Sequence, residues 1–199
     1  MTRSVTPSRG PGRRPGTPDT RGEVLAAART SFADLGFERT TIRRVATAAG
    51  VAPAMVHHFF GSKEDLFLEA LAAPFDPRVV LRPVVDGPPD ELGLRLARTM
   101  VTIWEDESRR EPLLALVRGA MTSEPVAAML RDGFLRIIAS VLAPAVAGPD
   151  PLLRLQLAIS QALGMELLRF AVKVEPLAST PPEDLIERLA PVLQHHLRG

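Results

Sequence analysis

The 199-residue sequence predicts an all-α protein made of a small N-terminal helical unit and a larger helical body. Apolar residues recur at spacings of three and four over most of the chain, which is the period of an amphipathic helix. No run alternates strictly enough between apolar and polar residues to predict a strand. Between Thr40 and Leu66, two short helical patterns flank a glycine with the spacing of a helix-turn-helix.

The charge of the sequence is divided unevenly along its length. Residues 1–63 contain ten Lys or Arg and four Asp or Glu, a balance of +6, and the remainder has fourteen against nineteen, a balance of −5. A basic N-terminal part favours binding to phosphates, because counterion release rewards local positive charge. A basic tail that only aids solubility is the alternative. Cysteine is absent, which excludes disulfides and thiolate chemistry.

Residues 1–18 are predicted to form a disordered basic arm. They are rich in Arg, Pro, Gly, Ser and Thr, and they contain too few apolar residues to bury the surface that ordering requires. The Gly-Arg-Arg-Pro-Gly sequence at 12–16 has the arginines that favour a minor groove. A merely flexible tail is the alternative.

The first helix is predicted to begin at a capping box formed by Thr20 and Glu23 and to end at Gly36. This helix is expected to pack across the two helices that follow it. Its inward stripe consists of Val24, Ala28, Phe32 and Leu35.

The helix-turn-helix pattern occupies the segment that follows. Gly50 provides the left-handed backbone that closes its first helix, and Pro53 stands in the first turn of the second, where its missing donor matters little. Val56 and Phe60 of the second helix are four residues apart and turn inward together. The inward face of the first helix consists of Ile42, Val45, Ala46 and Ala49.

A further helix is predicted to begin at about Lys63, because Ser62 and Asp65 form a second capping pattern. It is expected to stop by Pro74, since more prolines follow. The segment 74–89 is the predicted hinge between the two parts of the chain.

The segment from Gly36 to Leu66 resembles the tetracycline-repressor (TetR) family of bacterial transcription regulators. The resemblance rests on the Gly-Val turn, the flanking helical periodicities and the Ser-Lys-Glu start of the next helix. Where the family usually has a serine cap and an aromatic pair in its recognition helix, this chain has Ala52 and the pair His57 and His58. A plain three-helix core element in an unrelated helical protein is the alternative.

The resemblance implies DNA-contacting roles for positions of this helix-turn-helix. Thr41 would cap the first reader helix beside the DNA backbone, and Lys63 would contact phosphate. Arg44 is a weaker candidate than Arg43, since a solvated arginine on an exposed helix face is common. The alternative for His57 and His58 is likewise that they are solvated helix residues. The candidates for contact with base edges or phosphates are Arg43, Arg44, Pro53, Ala54, Met55, His57, His58 and Phe59.

The C-terminal part is predicted to contain helices at about 90–106, 112–121, 124–143 and 151–174, with a last one capped by Thr180 and beginning at Pro181. The helix 151–174 is apolar on nearly every face and must therefore be covered on all sides. This helix and the last one would be covered if they formed a four-helix interface with the same two helices of a second subunit. A core helix of a monomer is the alternative. The predicted interface residues are Leu155, Ile159, Leu163, Leu167, Leu185, Leu189, Val192 and Leu193.

The helices between 90 and 174 are also expected to enclose a small-molecule pocket, as the family resemblance implies. The candidate effector-binding residues mix apolar, aromatic and polar character on helices that are expected to converge. They are Met100, Trp104, Met121, Phe134, Gln161, Met165, Glu166, Arg169 and Phe170.

These observations predict a homodimeric, sequence-specific DNA-binding regulator with an arm at 1–18, a DNA-binding domain at 19–66 and a ligand-binding and dimerisation domain at 67–199. It is expected to repress by binding a near-palindromic double-stranded operator and to be released by an unknown small-molecule effector. A regulator without an effector, or an activator, is the first alternative.

A small helical enzyme is the remote alternative, because no Gly-x-Ser-x-Gly, Walker, dinucleotide or His-Glu-x-x-His pattern occurs. The adjacent histidine pairs point about 100° apart on a helix, so no metal site and no cofactor are predicted. The sequence shows neither a signal peptide nor a run of roughly 18 apolar residues. A cytoplasmic protein without a membrane partner is therefore expected.

Overall fold

The structure is a computed structural model, and it describes residues 19–199. The predicted arm at 1–18 lies outside the described residues. Over the described part the chain contains helices and no strand, which confirms the all-α prediction. The α-helices are α1 Thr20–Arg39, α2 Ile42–Ala48, α3 Pro53–Phe60, α4 Lys63–Ala70, α5 Pro77–Val80, α6 Arg82–Val85, α7 Leu92–Glu105, α8 Glu107–Thr122, α9 Glu124–Met129, α10 Leu135–Leu142, α11 Pro151–Glu166 and α12 Pro182–Arg198.

Two of these helices continue through π-helical turns. Residues Leu130–Phe134 join α9 to α10, and Leu167–Val172 extend α11. The segment predicted as one helix at 124–143 is therefore nearly continuous, and the segment predicted at 151–174 is helical to Val172. Short 3₁₀ turns occur at Pro89–Glu91 and Ala143–Ala145.

The N-cap of helix α1 lies one residue earlier than predicted. The Asp19 carboxylate accepts a hydrogen bond from the Gly22 amide at 2.9 Å, so Asp19 caps the helix where Thr20 was predicted to do so. An aspartate at this position also places negative charge at the positive end of the helix dipole. Helical geometry breaks at Gly36, whose φ is 75°, as predicted from its lack of a Cβ.

The helix-turn-helix forms as its pattern predicts. The Thr41 hydroxyl accepts from the Arg44 amide at 3.2 Å and caps α2, and Gly50 adopts a φ of 69° in the turn. The Ser62 hydroxyl accepts from the Asp65 amide at 3.0 Å and starts α4. Val56 and Phe60 of α3 are buried. The hydroxyls of Thr41 and Ser62 therefore set the starts of α2 and α4, and the glycine turn precedes α3.

Helices α1 to α4, called the head, share one apolar core with part of the remaining helices, called the body. The rings of Phe32 and Phe67 meet edge to face with their centres 5.1 Å apart, and Phe134 and Ile137 of the body pack into the same core. The predicted boundary between residues 66 and 67 falls inside α4, and it stays a prediction. The head is thus anchored to the helix pair α9 and α10 by continuous apolar packing.

Gly133 of the body packs closely against Phe67 of the head. A Cβ at this position would overlap the Phe67 ring. Gly133→Ala is therefore expected to lower the free energy of unfolding by about 1–3 kcal/mol, because the ring or the helix must move to make room. Urea denaturation of the full chain measures this.

Gly119→Ala is the matched control for that substitution. Its new Cβ would lie 3.3 Å from a methyl group of Val126, which is the end of a side chain that can shift. The free energy of unfolding is expected to change by no more than about 1 kcal/mol. Equal destabilisation by the two variants would contradict a tight head–body contact at Gly133.

In the body, α12 packs along α7 with their backbones in close contact. The Gly93 amide donates to the Gln194 side-chain oxygen at 2.6 Å, and a Cβ on Gly93 would overlap the α12 backbone. Helix α12 begins at Pro182 without a side-chain cap, and the Thr180 hydroxyl donates to the Pro176 carbonyl at 2.8 Å instead. The predicted cap at Thr180 and start at Pro181 were therefore wrong, because the turn before the helix takes the threonine hydroxyl.

The segment 74–89, predicted as a hinge, contains α5 and α6. Leu81 and Val84 are buried in the core of the body, and Arg78 forms ion pairs with Asp76 and with Asp65 of α4. The segment is thus a packed connection that joins the head to the body.

Candidate nucleic-acid interface and the faces of the body

Most of the predicted DNA-contacting side chains share one exposed surface. The buried side of α2 and α3 consists of Val45, Ala46, Val56 and Phe60, which leaves the opposite sides of both helices to solvent. Phe59 is half-buried and packs against the head core. The exposed set, called the reader surface, consists of Arg43, Arg44, Pro53, Ala54, Met55, His57 and His58.

The N-terminus of α3 lacks a side-chain cap. Ala52 stands at the cap position, and Pro53 follows it at the first helical position. The Met55 amide donates to the Ala52 carbonyl at 2.9 Å, so the Ala54 amide is the first-turn donor left for solvent or for an external acceptor such as a phosphate oxygen. The alanine in place of the family's usual serine opens this end of the helix.

His57 closes the other end of α3. Its Nδ1 lies 3.0 Å from the Gly61 carbonyl oxygen, which can only accept, so Nδ1 carries the hydrogen. This bond fixes the ring and leaves Nε2 as the edge that is open to another partner.

Lys63 differs from its predicted role as an exposed phosphate contact. Its ammonium donates to the Glu38 carbonyl at 3.2 Å and lies 4.3 Å from the centre of the Phe37 ring. Partial burial lowers the pKa of Lys63. The side chain ties α4 to the end of α1, and it would have to exchange these contacts to reach a phosphate.

The predicted interface residues divide into buried and accessible sets. Ile159, Leu163 and Leu167 are half-buried, and Val192 is exposed. The other four are core residues of the single chain, because their side of α11 and α12 faces α7. These four, Leu155, Leu185, Leu189 and Leu193, therefore do not occupy the surface position that the prediction required.

A different side of α11 is apolar and exposed. The segment Pro151–Val172 has a mean hydropathy of 1.2, long and apolar enough for a membrane-spanning helix, although only 28% of it is buried in the chain. The expectation that no such run exists was therefore wrong, since scattered polar residues such as Gln161 mask it. The stripe called the apolar face consists of the exposed Leu153, Leu157 and Leu168 and the half-buried Gly164 of α11 and its π-helical extension, with the exposed Val192 of α12.

Four of the predicted effector-binding residues come together between α7 and α11. The Trp104 and Phe170 rings stack with centres 6.5 Å apart. The Arg169 guanidinium pairs with Glu105 at 2.8 Å and donates to the carbonyls of Leu177 and Thr180. Glu166 is buried nearby, and its Oε1 has no hydrogen-bond partner among the described residues.

The other predicted effector-binding residues do not join that group. Met121 is 81% exposed at the end of α8, and Gln161 lies on the exposed side of α11. Phe134 packs against Phe75 in the shared core with the head. Met100 and Met165 are half-buried beside the core of the body.

Burial raises the pKa of Glu166 from its ordinary value of 4.5 to about 8, against an opposing effect of Arg169. The folded protein then binds a proton that the unfolded chain has released, so stability is lost as pH rises from 4.5 to about 8. Relative to Glu166→Gln, the wild type is expected to lose roughly 2–4 kcal/mol of unfolding free energy over this range. Denaturant titrations at several pH values measure the difference, and a constant difference would contradict the buried carboxyl.

The body contains a further cleft that no sequence pattern predicted. It has a volume of about 690 Å³ and lies between the α5–α6 segment, the start of α7, the end of α10 and the end of α12. None of the predicted effector-binding residues lines it. Its arginines are far apart in the sequence, at positions 78, 82, 95 and 198, and only the fold brings them together.

Among residues 19–199, no group of three or more His, Asp or Glu side chains is arranged to hold a metal ion.

Similarity to known proteins agrees with this arrangement of a head and a body. Residues 24–70 match the family model described as bacterial regulatory proteins, tetR family, and residues 90–197 match the tetracyclin repressor-like C-terminal domain. A solved TetR-family regulator from Streptomyces coelicolor is 32% identical, with 94% of this chain and 99% of that chain covered and a TM-score of 0.47.

Two curated relatives are transcriptional repressors. AcnR from Corynebacterium glutamicum is 44% identical over 50 residues, which are 25% of this chain and 27% of AcnR. KstR2 from Mycobacterium tuberculosis is 33% identical over 103 residues, which are 45% of this chain and 52% of KstR2. The chain thus spans between about a quarter and a half of the length of these relatives. Since the C-terminal family model alone matches more than half of the chain, the protein belongs to the TetR family of bacterial regulators.

Proposed function

We propose that the protein is a homodimeric transcriptional repressor that binds a near-palindromic operator and is released by a small-molecule effector. The observation that carries this proposal is the reader surface, which combines the uncapped N-terminus of α3 with two exposed arginines of α2. An arginine is able to bind guanine in the major groove or a phosphate, and helix amides bind phosphate. AcnR and KstR2 are both named as transcriptional repressors, which supports repression over activation.

The reader surface fits a major groove better than it fits a protein partner. Arg43 and Arg44 bring positive charge to α2, while His57 and His58 bring ring edges to α3. No carboxylate lies on the described part of this surface, so nothing on it repels phosphates. Of the sequence-predicted contacts, Lys63 also holds α4 against α1, and Phe59 also packs against the head core.

A second copy of the chain is the partner proposed for the apolar face. Leu157 and Leu168 are each more than 40% exposed in the single chain, and Gly164 has open space around it that allows a second helix to approach closely. Exposed leucines that recur along one side of a helix mark an interaction site. A two-fold axis through this face would present two reader surfaces to successive major grooves, which are about 34 Å apart.

The binding test uses duplexes from the region upstream of the protein's own gene. In a gel-shift titration we expect one shifted species containing two protomers, with an affinity that falls steeply as salt rises. An affinity that does not change with salt, or no binding to any of these duplexes, would contradict the proposal.

A further inference from the structure

The cleft in the body is rich in arginine and poor in carboxylate. Four arginines line it, and Asp86 is the one acidic residue in the lining. Asp86 pairs with Arg82 at 2.9 Å, and Arg78 is neutralised from outside the lining by Asp76 and Asp65. The guanidinium groups of Arg95 and Arg198 are therefore the two in the lining that are not paired with an aspartate.

Arg95 is held firmly and is incompletely paired. Its Nε donates to the Val84 carbonyl at 2.9 Å, and a Cβ on Gly87 would lie 2.7 Å from its guanidinium carbon, so the group rests against the Gly87 backbone. Its Nη1 is buried and has no hydrogen-bond partner among the described residues. The nearest carboxylate, that of the exposed Glu91, lies 3.6 Å away, beyond ordinary hydrogen-bond length.

Arg198 reaches the cleft from the C-terminal end of α12. Its Nη1 donates to the Ala145 carbonyl at 3.1 Å, and no carboxylate lies within ion-pair distance of it among residues 19–199. A guanidinium has five donors, so both arginines retain donors for a ligand.

The remainder of the lining is largely apolar. Val85, Leu92, Val141 and Pro144 contribute side chains to the same wall. A volume of about 690 Å³ falls in the range of small-molecule sites. The lining therefore combines donors for an anion with surface for a short hydrocarbon chain.

We propose that this cleft binds a small organic acid, with its carboxylate held by Arg95 and Arg198 and its hydrocarbon part against Leu92 and Val141. The site is separate from the group around Trp104 and Glu166. The effector is thereby assigned to a chemical class, the small organic acids. The effect of this ligand on regulation rests on the proposed repressor function.

The cleft is connected to the head along two routes. Val141 of α10 lines the cleft, and Ile137, one turn earlier, packs into the core that contains Phe67 of the head. Arg78 also lines the cleft, and it pairs with Asp65, whose carboxylate accepts a hydrogen bond from the Ser62 hydroxyl at the start of α4. A ligand that shifts α10 or Arg78 would therefore shift the head, to the extent that it prefers the shifted state.

Calorimetry of the full chain without DNA tests the site, with octanoate as the probe. We expect octanoate to bind at millimolar concentration or below, and 1-octanol and octylammonium to bind at least about tenfold more weakly at the same ionic strength. Arg198→Ala and Arg95→Ala are each expected to weaken octanoate binding about tenfold or more. Because Arg198 is exposed at the chain end, its substitution leaves the core intact.

Arg98→Ala and Arg188→Ala are the matched controls, since these exposed arginines lie on the same helices and do not line the cleft. Both are expected to bind octanoate as the wild type does. The proposal is overturned if octanoate does not bind, if octanol binds equally well, or if the control variants weaken binding as much as the cleft variants.

A gel shift with octanoate then separates this proposal from the repressor function. Octanoate is expected to weaken DNA binding of the wild type and not of Arg198→Ala. Failure of the protein to bind DNA would contradict the repressor function while the calorimetry still decides the cleft. Octanoate binding with unchanged DNA affinity would overturn the assignment of the cleft as the effector site.

Discussion

Replacement of Leu157 by arginine is expected to convert the protein into monomers and to weaken operator binding about a hundredfold or more. Leu157 is 43% exposed at the centre of the apolar face, so the single chain tolerates a charge there. In a dimer the same charge would be buried without a partner, once in each copy. Each monomer would then bind one half-site alone, without the gain in affinity that comes from linking two reader surfaces. Sedimentation and a DNA titration measure the two effects.

Met121→Arg is the control for this prediction. Met121 is 81% exposed at the end of α8, away from α11 and α12, so the same kind of substitution is expected to leave both the dimer and DNA binding unchanged. Leu163 is less suitable for the test than Leu157, because it packs against the cluster around Trp104 and its replacement would damage the core. A Leu157→Arg protein that sediments as a normal dimer would show that the interface lies elsewhere.

Arg43→Ala is expected to weaken operator binding about tenfold in each half-site, and so about a hundredfold in the dimer. Arg43 is exposed on α2, and its side chain supports no described contact within the protein. The free energy of unfolding should therefore stay the same. If the arginine contacts phosphate, the slope of log affinity against log salt concentration falls by roughly 2 for the dimer.

Arg98→Ala on α7 removes the same charge from an exposed position in the body and controls for net charge. It is expected to change operator affinity by no more than about twofold at fixed salt. Equal losses for the two variants would mean that Arg43 acts only through the total charge of the protein, which would contradict its place on the reader surface.

The local parts of this fold were predictable from sequence because each depends on neighbours in the chain. The caps at Thr41 and Ser62 and the glycine turns at Gly36 and Gly50 are set by spacings of a few residues. The cap of α1 was missed by one residue, since both Asp19 and Thr20 are residue types that cap helices, and the bond from the Gly22 amide to Asp19 decides between them.

The faces of the body were harder to predict because they depend on helix packing. Helix α11 is apolar on several sides, so periodicity alone cannot tell that Leu155 faces α7 while Leu157 faces solvent. The cleft depends on Arg78, Arg95 and Arg198, which are brought together by contacts between distant helices. The inward turn of Lys63 likewise depends on the position of Phe37 on α1.

The central claim is that two copies of the chain, joined through the apolar face, hold two reader surfaces on one near-palindromic duplex. Sedimentation of the full chain with such a duplex from its own upstream region tests this claim most directly. Two protomers bound together on each duplex, with no complex of one protomer at intermediate concentrations, is the result we expect. A single protomer bound at full affinity would contradict the claim.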